Sequence, residues 1–203
     1  MRRRHNLLRS SSCAGLRARS RGFTILELMV TVAVGGILSM VVIPELTSFL
    51  KNSASRQTSY DLMSSLMIAR SEAIKRGSRV VLCRTENPHA PTPSCGGEAK
   101  NWSTGWLVFI AEDGDSEFDV GTDVLVTVGD ATSNGINLRS NGVSDSSVEF
   151  RADGSLTAAS TARFVICDER GAAAGRQLNV AKIGRADVEV GTAADPLATC
   201  TPS

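Results

Sequence analysis

Residues 21–44, RGFTILELMVTVAVGGILSMVVIP, form an almost unbroken apolar run that contains a single carboxylate, Glu27. About 20 consecutive apolar residues are enough for a helix to cross a bilayer. A carboxylate inside such a segment is costly, because hydrocarbon cannot solvate its charge, and it therefore predicts a functional role. The partner that Glu27 needs becomes the central question about this chain.

The charges are distributed unevenly around this segment. Residues 1–22 hold seven arginines and no acid, which leaves 15 basic against 21 acidic residues from Phe23 onward, a net charge of −6. Positive charge before a hydrophobic span keeps that end in the cytoplasm. We therefore expect everything after Pro44 to lie across the membrane.

Three interpretations of the apolar segment compete. A secretory signal peptide would carry an uninterrupted apolar core and a small-x-small cleavage site, but Glu27 interrupts the core and no such site follows Ile43. A plain membrane anchor fits the length but gives Glu27 no role. The third interpretation is a segment that later leaves the lipid to pack in a fibre, and it is the one we favour.

The segment continues into a longer predicted helix, from Phe23 to Arg76. Pro44 should kink this helix rather than end it, and Gly77 after a Lys-Arg pair is a stop signal. A core-facing stripe at helical spacing is predicted in the second half. It consists of Leu62, Leu66, Ala69 and Ala73, widened by Met63, Met67 and Ile74.

From Ser78 onward the pattern changes to short β-like runs between turns, which predicts an α+β fold: a long helix packed on an antiparallel, β-rich head. The predicted organisation is a leader at 1–22, a transmembrane half-helix at 23–44, an amphipathic half-helix at 45–77 and a head at 78–203. The predicted strands are Arg79–Arg84, Gly105–Ala111, Val124–Val128, Gly135–Arg139, Ser147–Arg151, Arg163–Asp168, Gln177–Ile183 and Asp187–Val190.

Four cysteines follow the leader, and four cysteines allow three pairings. We favour Cys83–Cys95, which would close a proline-rich loop, and Cys167–Cys200, which would pin the tail. An extracytoplasmic location favours disulfides. A zinc site is disfavoured because no C-x-x-C pair exists and only His89 remains after the leader, so no metal or other cofactor is predicted.

The junction Gly22 followed by Phe23-Thr24-Ile25-Leu26-Glu27-Leu28 resembles the signal of type IV prepilins and type II secretion pseudopilins. The resemblance implies cleavage after Gly22 by a prepilin peptidase and methylation of the new amino terminus on Phe23. It carries assembly roles onto Glu27 and the helix-bending Pro44. Cleavage would create an α-amine, and a buried carboxylate paired with an amine is tolerated where a single one is not.

The head resembles the GspH/FimT family of minor pilins and pseudopilins through Val81-Leu82-Cys83-Arg84, the stretch from Trp102 to Phe109, and Ile183-Gly184-Arg185. The resemblance implies a non-enzymatic structural subunit that assists fibre initiation and assembly with other pilins. Its single helix would cross the bacterial inner membrane, with the head in the periplasm. With His5 in the leader, no catalytic histidine arrangement is predicted.

Two further sites are candidates. The acidic loop holding Asp113, Asp115, Glu117 and Asp119 alternates oxygen ligands as calcium loops do, but Phe118 stands where an EF-hand needs glycine, and a solvated hairpin turn fits equally well.

DNA is the second candidate ligand, since some FimT-like proteins take up DNA through a Gly-Arg-x-Arg element. The corresponding stretch here is Gly184-Arg185-Ala186-Asp187, with an aspartate replacing the second arginine. Lys182, Arg185 and Arg176 could still form a basic patch. The negative charge of the chain after Gly22 opposes DNA binding.

Overall fold

A computed structural model describes residues 22–133, 135–142, 145–157, 161–171 and 174–191. The chain divides at Pro44/Glu45 into two units. Within these described ranges one helix, α1 (Ile25–Arg76), is followed by eight strands. These are β1 (Val80–Arg84), β2 (Trp106–Ile110), β3 (Val124–Gly129), β4 (Asn137–Gly142), β5 (Ser147–Phe150), β6 (Ala162–Cys167), β7 (Arg176–Val180) and β8 (Ala186–Val190). All eight predicted strands are confirmed, with ends that differ by at most three residues.

The strands form two antiparallel sheets. The first has the order β3-β2-β1-β5 and the second the order β4-β6-β7-β8. Every pairing between neighbouring strands is antiparallel. The predicted α+β class is thereby confirmed: a helix packed on antiparallel sheets.

The second half of α1 lies against both sheets. Its predicted core positions Leu62, Leu66, Ala69 and Ala73 are all buried in one cluster with residues of both sheets. Their spacing of four, three and four residues keeps them on one side of the helix. Gly77 ends the helix as predicted: its N–H donates to Ala73 O at 2.9 Å, and its positive φ of 65° turns the following chain out of the helix.

The prediction that Met63, Met67 and Ile74 widen this core is wrong in part. Met67 and Ile74 are exposed, and Met63 is only half-buried. The reason is geometric: these residues follow the core positions by one residue, which is a rotation of about 100° around the helix. The head closes over only one side of the helix.

The central strands of the first sheet, β1 and β2, are buried on both faces and contain no exposed residue. One face of these strands joins the helix cluster. The opposite face, with Val81, Leu107 and Phe109, is covered by Phe118 from the acidic loop. This explains why both strands read as continuous apolar runs instead of alternating ones.

Both tryptophans are buried in the head. Trp106, predicted as core, donates from Nε1 to Ser65 Oγ at 2.9 Å and so ties β2 to the helix. Trp102 packs edge-on against Phe164 with 5.0 Å between ring centroids. Together the two rings join the helix and both sheets in a single core.

Candidate functional site

The amino-terminal turn of α1 is built around Thr24. Its hydroxyl oxygen accepts a hydrogen bond from the Glu27 N–H at 3.2 Å, and its carbonyl oxygen accepts one from the Leu28 N–H at 3.1 Å. Thr24 is therefore the helix cap, and Glu27 lies in the first turn, where negative charge is favoured by the helix dipole. The Thr-x-x-Glu pattern of a capping box could have been read from the sequence, which would have given Glu27 a second, local role.

The helix backbone continues through Pro44, as predicted. From Phe23 to Met40 the large apolar side chains are exposed on every side of the helix. A helix that is apolar all round needs an apolar environment from another molecule or from lipid. Within the described residues no single helix is apolar enough over a sufficient length to cross a membrane alone; a bent pair, Ile25–Met40 with Glu45–Arg76, meets the requirement by length and composition.

The predicted Cys83–Cys95 disulfide is present, with the two Cα atoms 5.6 Å apart. It closes the proline-rich loop, in which His89 Nε2 lies 2.5 Å from Asp130 Oδ1 with both side chains exposed. Cys167 is disulfide-bonded as well. Its predicted partner, Cys200, lies outside the described residues.

The acidic loop brings together three of its four predicted ligands. Carboxylate oxygens of Asp113, Asp115 and Asp119 lie within 4.8 Å of one another, and Glu117 is not part of this group. The loop is held by Asp123, whose carboxylate accepts hydrogen bonds from the N–H groups of Glu112 and Asp119.

Phe118, at the position where an EF-hand has glycine, is a buried core residue that packs against Phe109. Arg79 adds a further support at the base of the loop. Its guanidinium bonds Glu149 and the carbonyl oxygen of Gly114. The geometry of the loop is thus explained by contacts within the protein.

The predicted basic patch is only partly assembled. Lys182 and Arg185 are both exposed on the tight turn between β7 and β8. Arg176 lies at the other end of the hairpin, opposite Val190, whereas Val180 pairs with Ala186 beside the turn. Four residues of extended strand separate Arg176 from Val180, about 13 Å. The prediction that Arg176 joins this patch is therefore wrong.

Gly184 has a structural role in that turn. Its φ is +76°, and a Cβ added there would lie 2.0 Å from Gly154 O and 2.9 Å from Arg70 Nε. Only glycine fits such a left-handed, crowded position. The Gly-Arg pair is thus divided in its roles: the glycine closes the turn, and Arg185 lies at the surface.

Arg70 of α1 and Arg185 of the turn line the same groove, of about 360 Å³, together with Met63, Met67 and Ile74. Sequence reasoning missed Arg70, because no periodic signal distinguishes it from the other charged residues of the helix. Its proximity to Arg185 depends on tertiary packing alone.

A second unpredicted cluster ties the β6–β7 connection to the helix. Arg170 donates to both Asp168 carboxylate oxygens and to Asn52 Oδ1, and Lys51 pairs with Glu169. The guanidinium of Arg170, more than any other group, holds the pKa of the buried Asp168 below its ordinary value. This cluster holds the β6–β7 connection against α1 at Lys51 and Asn52.

A long helix whose second half is buried against two antiparallel sheets, beginning beside a Gly-Phe junction, defines a pilin-like subunit. Residues 59–184 match the family described as "Type II transport protein GspH". Residues 17–43 match the "Prokaryotic N-terminal methylation motif". The chain belongs to the GspH family of minor pilins and pseudopilins, structural subunits that associate with other pilins and are anchored in the membrane.

Two crystal structures of the type IV minor pilin FimU from Pseudomonas aeruginosa are similar to this chain. One is 18% identical, with 68% of this chain and 92% of that chain covered and a TM-score of 0.48. The other is 17% identical, with 70% and 89% covered and a TM-score of 0.49. No curated protein matches the sequence significantly.

Proposed function

We propose that this chain is a minor subunit that assists the initiation and assembly of a type IV pilus or type II secretion pseudopilus. A prepilin peptidase cuts after Gly22, and the new amine of Phe23 is methylated. The helix crosses the inner membrane once, with the head in the periplasm. The observation that carries the proposal is the match of residues 17–43 to the methylation motif, directly upstream of a GspH head.

Glu27 has the central role in this proposal. Its carboxylate is exposed in the first turn and forms no ion pair within the described part of the chain. In a fibre, the amine of Phe23 from an incoming subunit would pair with Glu27 of its neighbour. An unpaired charge in an apolar fibre core is strongly unfavourable, so this pairing would favour one axial register.

Glu27→Gln tests the pairing role while keeping a side chain that suits the first turn of the helix. Glutamine can still serve a capping box, but it carries no charge. We expect Glu27→Gln to be inserted and processed normally and to be strongly depleted from the sheared fibre fraction. Glu45→Gln, on the same helix, is the matched control and should be incorporated like the unaltered chain.

Processing is tested on the full chain purified from membranes of its host. Intact mass and amino-terminal sequencing should show a start at methylated Phe23, and Gly22→Val should retain the leader. A functional protein that starts at Met1 would overturn the proposal. Equal incorporation of Glu27→Gln and Glu45→Gln would remove the assigned role of the carboxylate.

A DNA receptor within the same kind of fibre is the second candidate. The observation in its favour is the joint exposure of Lys182 and Arg185 on one turn. Two observations weigh against DNA binding: Asp187 stands where the Gly-Arg-x-Arg element has its second arginine, and Arg176 lies at the other end of the hairpin. A gel shift with duplex DNA and the detergent-solubilised chain tests it: affinity that falls steeply with salt and is lost in Arg185→Ala would support DNA binding.

A further inference from the structure

The outer side of α1 in the head carries a second stripe, displaced by one residue from the buried one. Its members are spaced by three and four residues: Tyr60, Met63, Met67, Arg70 and Ile74. Tyr60, Met67 and Ile74 are 57%, 59% and 52% exposed. Apolar residues at this alternating spacing are the ones on which a second helix packs side by side. We refer to these five residues as the outer seam.

The outer seam lines two adjoining grooves. The first, of about 360 Å³, lies between the helix and the β7–β8 turn, and the second, of about 400 Å³, runs along the helix from Tyr60 to Ser71. Met63, Met67 and Ser71 line both. Tyr60 and Ile74 are 14 positions apart on the helix, about 21 Å at 1.5 Å per residue, which is about four turns of helix.

The charge of the first groove is positive and uncompensated. Arg70 and Arg185 line it, and neither groove has an acidic side chain among its lining residues. The Nε of Arg70 is shielded from water and has no hydrogen-bond partner. Within the described residues, no ion pair joins Arg70 or Arg185 to a carboxylate of this chain. An arginine in an apolar groove favours a carboxylate from a binding partner.

We propose that the outer seam is a docking site for an α-helix of another fibre subunit. That helix presents apolar residues at three- and four-residue spacing and a carboxylate opposite Arg70 and Arg185. The inference deepens the proposed function and rests on it, because it assigns the surface by which the head contacts a neighbouring subunit. The apolar walls formed by Met63, Met67 and Ile74 favour a helix over a phosphate backbone, which would leave them unburied.

The full chain is tested in its native host by placing a photoreactive benzoylphenylalanine at single positions. Met67 and Ile74 lie on the outer seam. Asp61 and Lys75 are controls, since both are exposed on the same helix and line neither groove. We expect crosslinks from the outer seam to exceed those from the controls by about tenfold, as a site favoured by 1.4 kcal/mol would give. Mass spectrometry should map them to a helical segment that contains Asp or Glu.

Charge reversal tests the role of Arg70. Arg70→Glu should lower crosslinking from Met67 by about tenfold, whereas Lys75→Glu should leave it unchanged. Replacing the mapped partner carboxylate by arginine should restore crosslinking in Arg70→Glu. If Arg70→Glu disturbs folding, as judged by tryptophan fluorescence, Arg185→Glu provides the same test on an exposed side chain.

The inference is overturned if the outer seam crosslinks no more than Asp61 and Lys75. It is also overturned if the adducts are nuclease-sensitive or consist of lipid, or if Arg70→Glu behaves like Lys75→Glu. Fractionation of the same samples separates the two proposals. Protein incorporated in fibres without seam crosslinks refutes the docking site alone, whereas protein absent from fibres refutes the proposed function too.

Discussion

The guanidinium of Arg170 binds Asp168 through two hydrogen bonds, from Nε to Oδ1 at 2.9 Å and from Nη2 to Oδ2 at 2.6 Å. The same guanidinium donates to Asn52 Oδ1 at 2.9 Å. The pair therefore connects the end of β6 to the helix at the start of the head. Its charge-assisted, two-point geometry is the strong form of such an interaction.

Lowering the pH should destabilise the head, because the carboxylate of Asp168 becomes protonated. The pKa of this carboxyl is lowered in the folded protein, chiefly by the hydrogen bond from Arg170. A lowered folded pKa means that the contribution to stability is complete above the ordinary pKa of about 3.9 and is lost as the pH falls below it toward the folded value. We expect the unfolding free energy to fall in that acidic range.

The measurement is denaturant unfolding of the detergent-solubilised chain followed by tryptophan fluorescence. Both tryptophans of the sequence are buried in the head, so the signal reports on the head core. Asp168→Asn should cost about 1.5–3 kcal/mol at pH 7 and lose part of the acid dependence. An unchanged pH profile in Asp168→Asn would contradict the assignment.

Loss of the Cys83–Cys95 disulfide should destabilise the head. The bridge joins residues 12 apart in sequence. Closing a loop of this size is worth about 3 kcal/mol in the chain-entropy treatment. The double variant Cys83→Ala/Cys95→Ala should unfold at lower denaturant, and non-reducing peptide mapping of the unaltered chain should recover the linked peptides. Recovery of Cys83 joined to any other cysteine would refute the pairing.

Ser65→Ala should destabilise the head although it removes a single oxygen atom. The change leaves the buried Nε1 of Trp106 without its acceptor, and an unsatisfied buried donor costs about 1–3 kcal/mol. Ser64→Ala is the control, because Ser64 is exposed on the neighbouring position. Equal stability of the two variants would show that the hydrogen bond contributes nothing.

Gly184→Ala should lower the free energy of unfolding more than Gly171→Ala does. Both glycines have positive φ, +76° and +81°, so both substitutions suffer similar backbone strain. Among the described residues a Cβ at Gly171 meets nothing within 4 Å, whereas one at Gly184 lies 2.0 Å from Gly154 O. Crowding of this kind costs about 1–3 kcal/mol. The difference in unfolding free energy between the two variants measures this crowding, and a difference near zero would contradict it.

The order of elements and the main core stripe were predictable from the sequence alone. Local signals suffice for these features: short β-like runs between turn residues for the strands, the spacing of Leu62, Leu66 and Ala69 for the buried helix face, and Gly77 for its end. The disulfide between Cys83 and Cys95 was also predictable as the favoured pairing. So was the Gly22-Phe23 junction, because a linear motif needs no fold to be recognised.

Tertiary structure alone decided which apolar residues of α1 remain exposed. Met67 and Ile74 have the hydrophobicity of core residues, but the sheets close over only one side of the helix. It also brought Arg70 beside Arg185 and separated Arg176 from them, through strand register and long-range packing. Hydrophobic periodicity shows which face of a single helix or strand is apolar. Which apolar faces pack against each other, and which remain exposed, depends on contacts between residues far apart in sequence.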